Sequence, residues 1–141
     1  MAAAALVAMV SCTEKVEDTV EYLEVNKTNM AGSWQLVEWD GAGLDESTYM
    51  YINFIRNDET YQMWQNIDSF TDVPREITGS FYIYTDADGN AVIRGNYDHD
   101  SGDWAHRYIV KDLTAGTMTW IASDDETFVQ KFVRVDSIPF E

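Results

Sequence analysis

From residue 33 to residue 135 the chain repeats one pattern, in which a run of β-branched and aromatic residues is bounded by Gly, Asn, Asp or Pro and then followed by another run. Eight such runs predict eight strands: Ser33 to Trp39, Tyr49 to Ile55, Thr60 to Asn66, Ile77 to Thr85, Ala91 to Tyr97, Trp104 to Asp112, Thr117 to Ala122 and Phe128 to Val135. The connections Asn57-Asp58, Asp86-Ala87-Asp88-Gly89-Asn90 and Thr114-Ala115-Gly116 are short enough to allow only antiparallel hairpins. No convincing amphipathic helix interrupts the series. Consecutive antiparallel strands make a meander, and a meander hides its edges most completely by closing on itself. The expected fold is therefore all-β, an eight-stranded antiparallel up-and-down barrel. A β-sandwich is the alternative, because order along the chain does not distinguish closing from folding over.

Neighbouring residues in a strand face opposite sides of the sheet, so alternation predicts which side chains point inward. Trp104, His106, Tyr108 and Val110 share one face, as do Met118, Trp120 and Ala122, and as do Phe128, Gln130, Phe132 and Arg134. These sets are assigned inward. Trp34, Leu36, Phe81, Ile83, Ile93 and Tyr97 from the earlier strands complete the expected interior. A barrel of eight strands is either just filled by its side chains or left wide enough for one small ligand. Large aromatic rings of this number are compatible with both outcomes. The inward Arg134 needs a partner, since a buried charge without one is costly.

Ahead of the strands the pattern changes. Residues 2 to 10 are an unbroken apolar run that ends at Ser11 and Cys12, after which the chain turns abruptly to charge. The run is too short to cross a bilayer, which takes about 20 residues, but it suits the hydrophobic region of an export signal. Ser11 directly before the only cysteine of the chain resembles a bacterial lipoprotein processing site. The resemblance implies cleavage before Cys12, lipid on its sulfur and a membrane as partner. It also implies residence in the bacterial cell envelope as an outer-membrane lipoprotein, facing the periplasm or the surface. The expected organisation is a signal remnant over 1–11, a lipidated flexible tether over 12–29 and a barrel domain over 30–141.

Charge narrows the partners. Nine Lys and Arg against 25 Asp and Glu give a net charge of -16, which repels phosphate backbones and excludes nucleic acid as an expected partner. The same acidity suggests a second function class, an interaction protein whose exterior captures a basic protein. With its one cysteine assigned to lipid, the domain has no internal disulfide and depends on its core.

Candidate chemistry beyond binding is sparse. No Ser or Cys sits in a nucleophile motif, His106 lies mid-strand among aromatics, and Asp124-Asp125-Glu126 falls in a solvated loop. No enzymatic activity and no cofactor are expected. Asp98-His99-Asp100-Ser101-Gly102-Asp103 places three carboxylates and an imidazole in one turn, a composition able to hold a hard cation, but Asp and Gly are also the ordinary residues of a turn. No metal site is assigned, there or at the feebler Asp86 to Asn90 turn.

Gly32-Ser33-Trp34 opens the first strand and Phe132-Val133-Arg134-Val135 closes the last. This pairing of a Gly-x-Trp with a final-strand arginine resembles the lipocalins, and the chain looks like a lipocalin-like bacterial lipoprotein. The resemblance implies that Trp34 plugs the closed end of the barrel with Arg134 lying across it. It also implies a helix after the last strand, for which Asp136 to Glu141 is too short. The expected function is binding of a small apolar or amphipathic molecule at the open end, in a cavity lined by Trp104, His106, Tyr108, Met118, Trp120, Phe128 and Gln130.

Overall fold

The computed structural model describes residues 20–67, 76–98 and 102–140. Cys12, with the apolar run before it, and His99, Asp100 and Ser101 of the acidic turn lie outside those residues.

The eight predicted runs form the eight strands of a closed antiparallel barrel, and two very short strands are added to it. In chain order the strands are β1 (Gly32–Trp39), β2 (Ala42–Gly43), β3 (Met50–Ile55), β4 (Thr60–Gln65), β5 (Ile77–Thr85), β6 (Ala91–Tyr97), β7 (Gly102–Asp103), β8 (Tyr108–Lys111), β9 (Thr117–Ala122) and β10 (Asp125–Val135). The ring runs β1-β3-β4-β5-β6-β8-β9-β10, while β2 pairs with the end of β1 and β7 with the end of β6. Closure comes from β1 pairing with β10, from Ser33 opposite Val135 to Trp39 opposite Gln130. The first and last strands meet, which excludes the sandwich.

Alternation survives almost everywhere. Trp34, Leu36, Ile52, Phe54, Tyr61, Ile93, Met118, Trp120 and Phe132 are fully buried in one interior cluster. Two departures from the sequence pattern shape the upper half of the barrel. The first is a register shift in β1, where Leu36 lies opposite Phe132 but Glu38 lies opposite Lys131, so that Val37 is the additional residue of a bulge. Strict alternation would carry Trp34 and Leu36 on to an inward Glu38. The bulge instead turns Glu38 outward, its carboxylate 3.9 Å from Lys131, and turns Trp39 inward.

The second departure is that the strand expected from Trp104 begins only at Tyr108. The Trp104 backbone N–H donates to the Gly95 carbonyl at 2.8 Å, and its indole lies directly over Gly95, where any Cβ would collide with it. A glycine inside a strand marks such a close approach. Trp104, His106 and Tyr108 nevertheless keep their inward parity across the irregular stretch.

The lower end is sealed by the chain that precedes β1. Helix α1 (Lys27–Met30) is a single turn capped by Asn26, whose side chain accepts from the Asn29 N–H at 2.8 Å. It carries the fully buried Met30 into the barrel floor. The segment before it, expected to belong to a flexible tether, lies against the barrel from residue 23. Leu23 and Val25 pack on the core, and the Leu23 N–H donates to the Leu113 carbonyl at 2.8 Å. After β10 the tail crosses the outer face of β3: Ile138 is buried and Phe140 packs on the outward-facing Tyr49 and Tyr51, with ring centroids 4.8 and 5.9 Å away.

Candidate functional site

The closed end contains the Trp34 and Arg134 pair. Trp34 is fully buried and its indole N–H donates to the Met30 carbonyl at 2.9 Å. The Arg134 guanidinium carbon stands 4.2 Å from the Trp34 ring centroid, a cation–π contact worth about 0.5–2 kcal/mol. Three of its N–H groups are also used, donating to the carbonyls of Ala115 at 2.7 Å, Ala31 at 2.6 Å and Asn29 at 2.9 Å. Burial pushes the Arg134 pKa down from its ordinary value, and the carbonyls and the ring offset that cost. Gly32 makes the approach possible: it has φ +109°, and a Cβ there would stand 2.7 Å from Arg134 Nη1. Every strong interaction at this end is internal, so its role is structural.

At the opposite end the lumen is open. A cavity of about 200 Å³ descends from the mouth to Trp120. Trp120 is the floor, itself buried against Phe132, Tyr108 and Trp104 with ring centroids 4.6, 5.1 and 5.9 Å away. Met50, Met63, Tyr97 and Trp104 form walls, and Trp39, Ile67, His106 and Phe128 stand around the rim. Trp39 meets Phe128 edge to face at 5.0 Å, and His106 lies 5.3 Å from Phe128.

Polar groups share this lining with the rings. Gln130 is the buried polar side chain among the described residues, and its Nε2 donates to Tyr108 Oη at 3.5 Å, the long limit of a hydrogen bond. Gln65 contributes a second carboxamide. His106 Nδ1 is 3.1 Å from Asp124 Oδ1; the imidazole is one-third exposed and the carboxylate mostly so. Behind the wall, Trp104 Nε1 donates to Tyr61 Oη at 2.9 Å, and Tyr61 donates in turn to the Asn96 carbonyl at 2.7 Å. Burial pushes the Tyr61 phenol well above its ordinary pKa, so this relay holds a neutral hydroxyl that positions the Trp104 ring.

Of the residues expected to line a cavity, Trp104, His106, Tyr108, Trp120, Phe128 and Gln130 are brought together around it. Met118 is not. It lies opposite Phe132, two residue pairs deeper than Trp120 opposite Gln130, and its sulfur accepts from Trp120 Nε1 at 3.3 Å beneath the floor. Residues missed from sequence are Trp39, whose parity the bulge reverses, and Met50, Met63 and Gln65, whose alternation in β3 and β4 is legible in Met50-x-Ile52-x-Phe54 and Tyr61-x-Met63-x-Gln65.

The acidic turn has no described cation cradle. Asp98 accepts from the Thr78 hydroxyl at 2.7 Å and Asp103 is paired with Arg94 at 2.8 Å. Asp86 is likewise used by its own turn, accepting from the Asp88 and Asn90 N–H groups at 2.9 Å each. Among the described residues no three His, Cys, Asp or Glu side chains gather as a metal site, and no helix is long and apolar enough to cross a membrane.

No curated protein matches this sequence. The lipocalin-like domain family does, over residues 30–120, from Met30 at the end of the helix to Trp120 within β9, and β10 then completes the ring beyond the matched span. On that match and on the closed barrel, this chain belongs to the lipocalin-like domain family.

Proposed function

We propose that this protein is a binding module that takes one compact apolar or amphipathic molecule into the open end of its barrel. The observation that carries this reading is the cavity itself, open at one end, floored by a buried indole and lined by aromatic rings and methionines together with the polar groups of Gln65, His106, Tyr108 and Gln130. That is the character of a small-molecule site. Its size limits the occupant. An apolar cavity of about 150 Å³ admits benzene, whereas drug-sized pockets run from about 300 Å³ upward. At about 200 Å³ the space suits a single ring or a short chain, with any longer molecule protruding past Trp39 and Phe128.

Trp39, Trp104 and Trp120 line the cavity and serve as internal reporters. Benzyl alcohol, cyclohexanol and 1-hexanol are expected to change tryptophan fluorescence and raise the melting temperature. Occupancy at one hundred times Kd stabilises a protein by about 2.7 kcal/mol. If none of these compounds moves either signal, the binding reading fails.

The same proposal places the protein in the cell envelope, held by lipid on Cys12; its support is the apolar run, Ser11 and the switch to charge after the cysteine. Replacing Cys12 with Ser should release the domain from membranes, and continued membrane association in that variant would refute the anchor. The alternative, capture of a basic protein by the acidic exterior, is supported by the charge of -16. It does not account for a hollow lumen, and steered capture of that kind should weaken steeply with salt.

A further inference from the structure

We infer that the ligand of the barrel cavity is a compact organic cation, an aromatic or alkyl ammonium compound, rather than a carboxylate. This inference rests on the reading of the cavity as a ligand site and specifies the chemistry it selects. Among the described residues the lining contains no Lys and no Arg, so a carboxylate head group drawn inside would lose its hydration and meet no fixed cation. His106 is the one lining side chain able to carry positive charge, and when protonated its charge is paired with Asp124 at 3.1 Å.

For a cation the same lining is favourable. Trp39, Tyr97, Trp104, Tyr108, Trp120 and Phe128 present ring surfaces, and an ammonium group over aromatic faces gains most where water is excluded. Gln130 adds a carboxamide group able to accept from N–H groups, and Gln65 Oε1, which already accepts the Ile67 N–H at 2.8 Å, keeps a second lone pair. Asp124 stands at the rim beside His106, followed by Asp125 and Glu126, within a chain whose net charge is -16. That field concentrates cations at the mouth and repels anions. Lining, rim and overall field agree in sign.

The test is a calorimetric titration of the full chain with three probes built on one benzyl or benzoyl ring: benzylamine, benzyl alcohol and benzoate. Benzylamine is expected to bind about tenfold more tightly than benzyl alcohol, consistent with a desolvated cation–π gain, and benzoate is expected not to bind. Equal affinity for benzylamine and benzyl alcohol, or preferred binding of benzoate, would overturn the cation inference while leaving the cavity a ligand site. Failure of all three probes would remove the site reading and this inference with it. Trp39→Leu sharpens the outcome at a partly exposed rim position. Benzylamine affinity should fall several-fold more than benzyl alcohol affinity, and an equal loss for both would count against a cation resting on that ring.

Discussion

The two ends of this barrel are built from the same materials and do opposite things with them. Each has a buried tryptophan and an inward polar residue on β10, Trp34 with Arg134 below and Trp120 with Gln130 above. Below, the polar group is firmly held: Arg134 gives three hydrogen bonds of 2.6 to 2.9 Å to backbone carbonyls and its face to an indole. Above, Gln130 makes a 3.5 Å contact to Tyr108 beside an open cavity. A polar group held on several sides fixes a structure, whereas one held at the limit of its reach contributes little to it. The lower end therefore specifies the fold, and the upper end leaves the space that the proposed function uses.

The most severe way to test the lower end is Trp34→Ala. Removing a fully buried Trp from a packed interior costs about 3–5 kcal/mol, here with the loss of the Met30 hydrogen bond and of the Arg134 stack. A urea unfolding curve should show that loss, and a decrease below about 1 kcal/mol would mean that the pair does not seal the barrel. At the upper end the corresponding perturbation is Gly95→Ala. Its Cβ collides with the Trp104 indole, so the wall must shift, at an expected cost of about 1–3 kcal/mol. Because Trp104 lines the cavity, benzyl alcohol binding should weaken in the same variant. Loss of stability with unchanged binding would show that the Trp104 wall does not define the site.

How much of this was legible from sequence follows the same division. Strand existence and the inward faces of β8, β9 and β10 are local properties of alternation and hairpin length; they favoured a closed barrel over a sandwich, and the β1–β10 pairing decides between the two. What alternation hides is anything that changes parity. The β1 bulge could be suspected from an apolar Trp39 beside a charged Glu38 at an inward position, but its location is fixed only by pairing with β10, more than 90 residues away. The premature end of the Trp104 strand has the same origin, since it needs Gly95 on a different strand. Depth was also invisible. Met118 and Trp120 share a face, yet only the register with Phe132 and Gln130 shows that one lies under the floor and the other forms it. The packing of Leu23 and Val25 escaped for a simpler reason: two apolar residues among glutamates show no period.

A sharper test of the comparison uses the buried polar residue of the upper end. Gln130→Leu removes a long hydrogen bond and adds apolar volume in a site already lined by rings. Replacing a weakly satisfied polar group by an apolar one of similar shape is close to neutral, so stability should change by less than about 1 kcal/mol in either direction. Affinity for benzylamine should nevertheless fall, because a carboxamide acceptor has gone. A large destabilisation with intact binding would reverse the assignment and make Gln130 a structural residue like Arg134.

The smallest expected effect lies outside both ends and depends on pH. Asp86 accepts the N–H groups of Asp88 and Asn90 in the β5–β6 turn, and these bonds, the one to Asn90 foremost, hold its carboxyl below the ordinary value of 3.8. A depressed folded-state pKa contributes stability that is fully present above the unfolded value and is lost as pH falls through the folded one. The difference in stability between the wild type and Asp86→Asn should therefore be constant from pH 7 down to about pH 5, then close as the pH drops below about 4. Asn retains an acceptor oxygen for the same turn, so the difference is small even where it is largest. Urea midpoints of both proteins at pH 6 and pH 3 decide the matter. A difference that persists undiminished at pH 3 would show that the turn depends on the shape of the side chain and not on its charge.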